Sequence, residues 1–218
     1  APVTRPSPPD LLVLHALRLK GVAERSAVVA RFALDRDETE ELLGDFEAYG
    51  WAFRTEFAGS GGWTLTEAGR LEGERRLARE LEEAGARAAV ADVHTEFLPL
   101  NARFQDACTR WQLRPVPGDD LAANDHTDFR WDDRVLAELG ALGRRLDPLV
   151  ARLADGLARF DGYADRYTAA LSRAVAGDHR WVDGLGRDSC HAVWFELHED
   201  LLATLGVERG QEPPVPSG

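Results

Sequence analysis

Residues 42–70 read LLGDFEAYGWAFRTEFAGSGGWTLTEAGR, and within them one periodicity gives way to another. Leu42, Leu43, Phe46 and Tyr49 recur at helical spacing, and Gly50 predicts the end of that helix. WAFRTEF (51–57) alternates as a strand does, GSGG (59–62) predicts a flexible turn, and WTL (63–65) predicts the returning strand. Thr66 then opens a further helix.

Upstream, Asp35 with Glu38 three residues on reads as a capping box for the helix that carries Leu42 and Phe46. The Ala33-Leu34 turn precedes it, and before that a short helix over 24–32 turns Ala27, Val28 and Phe32 inward. Asp10 caps a first helix, LLVLHALRL, which stops at Gly21 and is apolar all round, hence buried. Three helices followed by a two-stranded ribbon predict a winged helix over 10–83. The 42–70 stretch resembles the third helix, wing and wing exit of bacterial transcriptional regulators of the MarR-like winged helix-turn-helix group, in which L-T-x-x-G-R follows the wing. The resemblance extends over roughly residues 10–83, about a third of the chain, and implies transcription regulation through DNA bound by a homodimer.

The helix beyond Thr66, EAGRLEGERRLARELEEAG (67–85), carries Leu71, Leu77 and Leu81 as a narrow apolar stripe suited to a linker or dimer arm. Everything after Gly85 reads helical, over about 86–98, 100–113, 132–145, 148–160, 163–176 and 188–205. The expected fold class is therefore mainly α, an N-terminal winged helix of three helices plus a two-stranded wing, followed by an all-helical bundle at 86–206. Residues 1–9, with four prolines, predict a disordered arm, and 207–218 a flexible tail. RPVPGDDLAANDHTDFRWDD (114–133) contains a loop of unusual length, rich in Asp, Pro and Asn, and such loops are often functional or mobile.

Composition limits the partners. Acidic residues outnumber basic ones by 38 to 26, so the chain as a whole repels polyanions, and any nucleic-acid contact needs a local basic patch. No apolar run is long enough for a membrane span and the first residues lack signal-peptide order, so no membrane partner and a cytoplasmic location are expected. A single lysine, Lys20, with no Ile and two Asn, fits the codon bias of a GC-rich bacterial genome. Cys108 and Cys190 lack CxxC spacing and read as buried free thiols.

With its apolar residues facing the core, the third helix would present Arg36, Asp37, Glu40, Glu41, Asp45 and Glu47 outward. Holding phosphate or reading a base edge requires donors, and these come down to Arg25, Arg31, Arg36, Thr39 and Arg54. The alternative is a winged-helix interaction adaptor that binds no DNA because its recognition helix is acidic. In the helical domain, Trp111, Arg114, Trp131, His191, Trp194 and His198 are the residues expected to line a site for a small-molecule effector, although the rings also suit an ordinary core. On a helical wheel His191 and His198 fall at the edge of the Cys190, Trp194, Leu197, Leu201 stripe and are expected to face protein. They stand about 10 Å apart along the helix, too far to hold one ion without help from His94 or Glu96, and no metal is expected. No nucleophile elbow, phosphate loop or H-E-x-x-H occurs, so neither an enzyme nor a cofactor is expected.

Overall fold

The computed structural model describes residues 6–57 and 60–207. The expected arm lies mostly, the wing tip at Ala58 and Gly59 wholly, and the tail from residue 208 on, outside the described residues. The chain is mainly helical with one small antiparallel sheet, and it divides into two compact units. The first takes 6–57, 60–88, 154–159 and 199–207, and the second 89–153 and 160–198. No described helix is long and apolar enough to cross a membrane.

In the first unit, α1 (Pro9–Lys20) begins with proline inside its first turn beside Asp10 and closes on Arg18 and Lys20, charges matched to the helix dipole. Gly21, at φ 74°, ends it. Its Val13, Leu14 and Leu17 are fully buried against Val28 of α2 (Arg25–Phe32) and against Leu43 and Phe46 of α3 (Arg36–Ala48). Asp35 caps α3 by accepting from the amides of Asp37 (3.0 Å) and Glu38 (2.9 Å). The antiparallel strands β1 (Ala52–Phe57) and β2 (Ser60–Leu65) follow, paired with Ala52 opposite Leu65 and Arg54 opposite Trp63. β2 thus begins earlier than its composition suggests, and Gly61 and Gly62 belong to the strand and not to the turn. The reason is close approach: a Cβ on Gly62 would lie 2.9 Å from the Val22 side chain and 3.0 Å from the Ala23 backbone. There Ala23 exchanges two backbone hydrogen bonds with Trp63, at 3.0 and 2.7 Å.

The L-T-x-x-G-R segment has a physical explanation. Thr66 caps α4 (Glu67–Glu83) by accepting from the Gly69 amide at 3.1 Å, and its own amide donates to the Trp51 carbonyl at 2.9 Å. Gly69 packs so closely on that carbonyl that a Cβ would stand 1.9 Å from its oxygen. The buried face of α4 runs Gly69, Gly73, Leu77, Leu81 in steps of four, which corrects the expected stripe: Leu71 lies on the other side and is exposed.

The N-terminal unit also encloses a buried charge cluster. Arg159, in the 3-10 turn Ala158–Phe160, donates to Glu80 (2.9 Å), to Asp200 and to the Thr204 hydroxyl (2.6 Å). His15 Nε2 lies 2.9 Å from the same Asp200, and the Arg159, Asp200 and His15 side chains are wholly excluded from solvent. Burial outweighs the pull of Asp200 and holds the His15 imidazole below its ordinary pKa, so the ring is neutral and donates through Nε2. The charge of Arg159 and the hydrogen bond from His15 overcome burial at Asp200 and keep its carboxyl far below the usual carboxylate range.

The regular elements of the second unit are all helices among the described residues. Two expected breaks are absent: 86–98 and 100–113 form one helix, α5 (Arg87–Gln112), and 132–145 merges with most of 148–160 into α6 (Phe129–Gly156). Pro99 and Pro148 sit inside these helices on the exposed side, where water can take the carbonyl that each leaves without a donor. α7 (Tyr163–Val175), the short α8 (Arg180–Asp183) and α9 (Cys190–Leu205) are the remaining helices among the described residues, with α9 belonging to this unit up to residue 198. Cys108 and Cys190 are both buried free thiols, and burial pushes each thiol up to about 12.

Candidate functional site

Beside β1 and β2, α3 presents an almost purely acidic surface. Arg36, Asp37, Glu38, Glu40, Glu41, Asp45 and Glu47 are exposed while Leu43 and Phe46 are buried. Of the residues expected to meet DNA, Arg36 and Arg54 are exposed. Arg25 is ion-paired to Glu40 of α3. Arg31 is half-buried, its guanidinium 4.2 Å from the centre of the Phe32 ring and close enough to Asp200 to lower that carboxyl's pKa. Thr39 is buried, and its hydroxyl donates to the Asp35 carbonyl at 2.6 Å, so it serves α3 and is not on the outer face.

The six residues expected to meet a small molecule fall into two groups within the C-terminal unit. Trp194 and His198 belong to a packed aromatic core: Trp194 stacks on Phe104 at 4.4 Å with the rings nearly parallel, and His198 lies against Phe97 at 5.4 Å and His94 at 6.2 Å. The Trp194 indole donates to Asn101 at 3.0 Å. His191, expected to face protein, is instead exposed at the rim of this stack, because the true inward stripe of α9 centres on Cys190, Val193, Trp194 and Leu197. Glu96 is exposed and paired with Arg152 at 2.6 Å, so it adds nothing to the histidines.

Trp111, Arg114 and Trp131 gather elsewhere, around the loop joining α5 to α6. Trp131 donates its indole proton to the Arg110 carbonyl at 2.7 Å, and half-buried Arg114 pairs with Asp125 at 3.2 Å. Asn124 organises the loop. Its amide nitrogen bonds the Trp111 carbonyl (2.9 Å) and Asp132 Oδ1 (2.8 Å), which uses both protons, and its own backbone amide donates to the Gln112 carbonyl at 2.7 Å. Its side-chain oxygen accepts from the His126 amide at 3.2 Å. His126 is held at φ 58°, a left-handed conformation uncommon outside glycine. From there its Nδ1 reaches 3.0 Å from Oδ2 of buried Asp132.

His179, the residue before α8, completes this corner. Its ring meets the edge of Trp111 at 5.1 Å and stands 5.0 Å from the His126 ring, tilted by 56°. His126, Asp132 and His179 each bring one ligand-capable atom to within 4.8 Å of the others, the one such group of three among the described residues. None of the three was expected to act. The long loop was marked as a place for function, but the sequence does not bring His179 to it.

No family model, no characterised protein and no solved structure matches the chain in comparison with known proteins.

Proposed function

We propose that the chain is a MarR-like winged-helix transcriptional regulator, cytoplasmic and homodimeric, with its C-terminal helical unit receiving an effector. The observation that carries this reading is the arrangement of the N-terminal unit: three helices, an antiparallel β1–β2 ribbon bonded back to Ala23 between α1 and α2, and a helix leaving at Thr66. A winged helix has that order, and its third helix is the one that enters a major groove. The glycine cradle at Gly69 supports it further, since it supplies a mechanical reason for the residues on which the family resemblance rests.

In this reading Arg36, at the start of α3, and Arg54, on β1, are the phosphate contacts, two per chain and four in a dimer. Each neutralised phosphate contributes about 0.9 to the slope of log affinity against log salt, so the dimer should show a slope of about −3.6. The test is fluorescence anisotropy of duplexes selected from the genome, at 20 to 200 mM salt. Arg36→Glu is expected to abolish the low-salt signal and Arg54→Gln to flatten the slope.

A second reading is favoured by one observation, the tie between Arg25 and Glu40 across an otherwise acidic α3. There the same unit docks a basic protein surface and no DNA. Absence of any duplex binding at 20 mM salt would establish that reading over the first.

A further inference from the structure

We propose that His126, Asp132 and His179 are the protein ligands of a divalent transition-metal site, of the kind that takes Zn2+ or Co2+ with open positions for water or an exogenous ligand. The site lies wholly within the C-terminal unit and does not depend on the regulatory reading of the N-terminal one.

The donor set suits the ion. Two imidazoles and a carboxylate are borderline and hard donors of the type that bind zinc, and three protein ligands are the number found where a coordination position stays open. The spacing agrees. Imidazole nitrogens bind at about 2.0 to 2.1 Å, which places each ring centre about 3.2 Å from the ion, so two rings at a tetrahedral angle stand about 5.2 Å apart. The His126 and His179 rings stand 5.0 Å apart. Neighbouring ligand atoms in such a shell are about 3.3 Å apart, and His126 Nδ1 is 3.0 Å from Asp132 Oδ2. The remaining ligand atoms, within 4.8 Å, close to that spacing by rotation of half-buried His179.

A hydrogen-bonded loop clasp would explain Asn124, Asp132 and His126 but not His179. Both Asn124 amide protons are already used, so its 3.3 Å approach to His126 Nδ1 is no third donation; Nδ1–H donates to Asp132 Oδ2 at 3.0 Å, and an ion held by both atoms takes the place of that proton. Among the described residues the His179 ring makes no hydrogen bond, yet it is packed edge-on to Trp111 and turned to His126. Asn124 then has the role of an outer-shell residue, orienting the carboxylate through Oδ1 and leaving Oδ2 for the ion.

The experiment uses the full-length chain without an affinity tag, stripped with chelator and titrated with Co2+, followed by its visible d–d absorption and by elemental analysis after desalting. One Co2+ per chain is expected, displaced by Zn2+ with loss of the absorption. His179→Ala is the decisive variant because that half-buried ring carries no hydrogen bond, and circular dichroism will report that it folds. It should weaken Co2+ binding about 100-fold or more, since loss of a ligand exceeds the 10- to 100-fold cost of losing an outer-shell partner. His126→Ala should do the same, while His191→Ala, exposed on α9, should leave binding within about twofold. Absence of Co2+ binding by the wild-type chain, retention of it by His179→Ala, or equal loss in His191→Ala would each overturn the assignment.

Discussion

Replacing Arg159 by leucine should be among the most damaging single changes available to the N-terminal unit. The guanidinium is wholly buried and holds two carboxylates, Glu80 at 2.9 Å and Asp200, as well as the Thr204 hydroxyl at 2.6 Å. Leucine fills part of the volume but leaves Asp200 as a buried charge without its guanidinium, beside the neutral His15 ring, the Thr204 hydroxyl at 3.2 Å and more distant Arg31. Removing one partner of a buried pair costs about 3 to 5 kcal/mol, because the remaining charge keeps its desolvation penalty and loses its compensation. At about 2 to 4 °C per kcal/mol for a chain of this size, the unfolding midpoint should fall by about 6 to 20 °C. Thermal melts by circular dichroism at pH 7.5, with urea titrations to extract the free energy, measure this directly. The triple change Arg159→Met, Asp200→Leu, Glu80→Leu should recover most of the loss, since replacing a whole buried ionic set by apolar groups is often neutral. A loss below about 1 kcal/mol for Arg159→Leu alone would refute the argument, showing that water or rearrangement meets the stranded carboxylates.

The same cluster sets a pH dependence. His15 has a folded pKa below 6.5, so between that value and 6.5 the unfolded chain binds a proton that the native chain refuses, and stability must fall as pH drops through this window; His15→Gln should flatten urea midpoints there. Asp200, depressed below its ordinary 3.8, adds a second loss as pH falls through and below 3.8. Gly69→Ala should destabilise the unit by about 3 kcal/mol or more in urea titrations, at or above the upper end of overpacking costs, because the obstructing atom is a backbone oxygen at 1.9 Å. Gly44→Ala, with nothing within 4 Å of the new methyl, is the neutral or stabilising control. Cys108 and Cys190, raised to about 12, should resist a disulfide reagent at pH 8 for as long as the fold persists and react together on unfolding.

Residue chemistry local to a few turns was readable in the sequence, and chemistry assembled from distant segments was not. Asp35, Thr66 and the β1 alternation announce themselves because a cap or a strand is decided by its own neighbours. Gly61 and Gly62 misled because a glycine pair signals a turn equally well as a close approach, and only Val22 and Ala23 show which it is. The expected breaks fall at Pro99 and beside Pro148, yet on the exposed side of α5 and α6 a proline costs a backbone bond that water can replace and need not end the helix. Arg159, Glu80 and Asp200 look like three among many surface charges, since burial is a tertiary property without a local signature. His126 and Asp132 share a loop whose length and composition did signal function, but their partner His179 precedes a four-residue helix that no periodicity could anticipate.

The acids of α3 go beyond what its own stability asks for. Asp37 and Glu38 in the first turn favour the positive end of the helix dipole, whereas Glu47 in the last turn opposes the negative end and no basic residue relieves it. Six carboxylates against a single arginine therefore cost the helix a little, and they weigh on each partner proposed for α3. In a major groove every point on such a helix lies within about a Debye length of phosphates on both strands, 8 to 10 Å at ordinary salt, so the acids would be felt in full. Contact limited to Arg36 at the helix start and Arg54 on β1 keeps most of that acidic face out of the groove, at the expense of base readout. The two proposed readings therefore differ in one quantity, the depth to which α3 would enter its partner: shallow on DNA, or fully engaged on a basic protein surface.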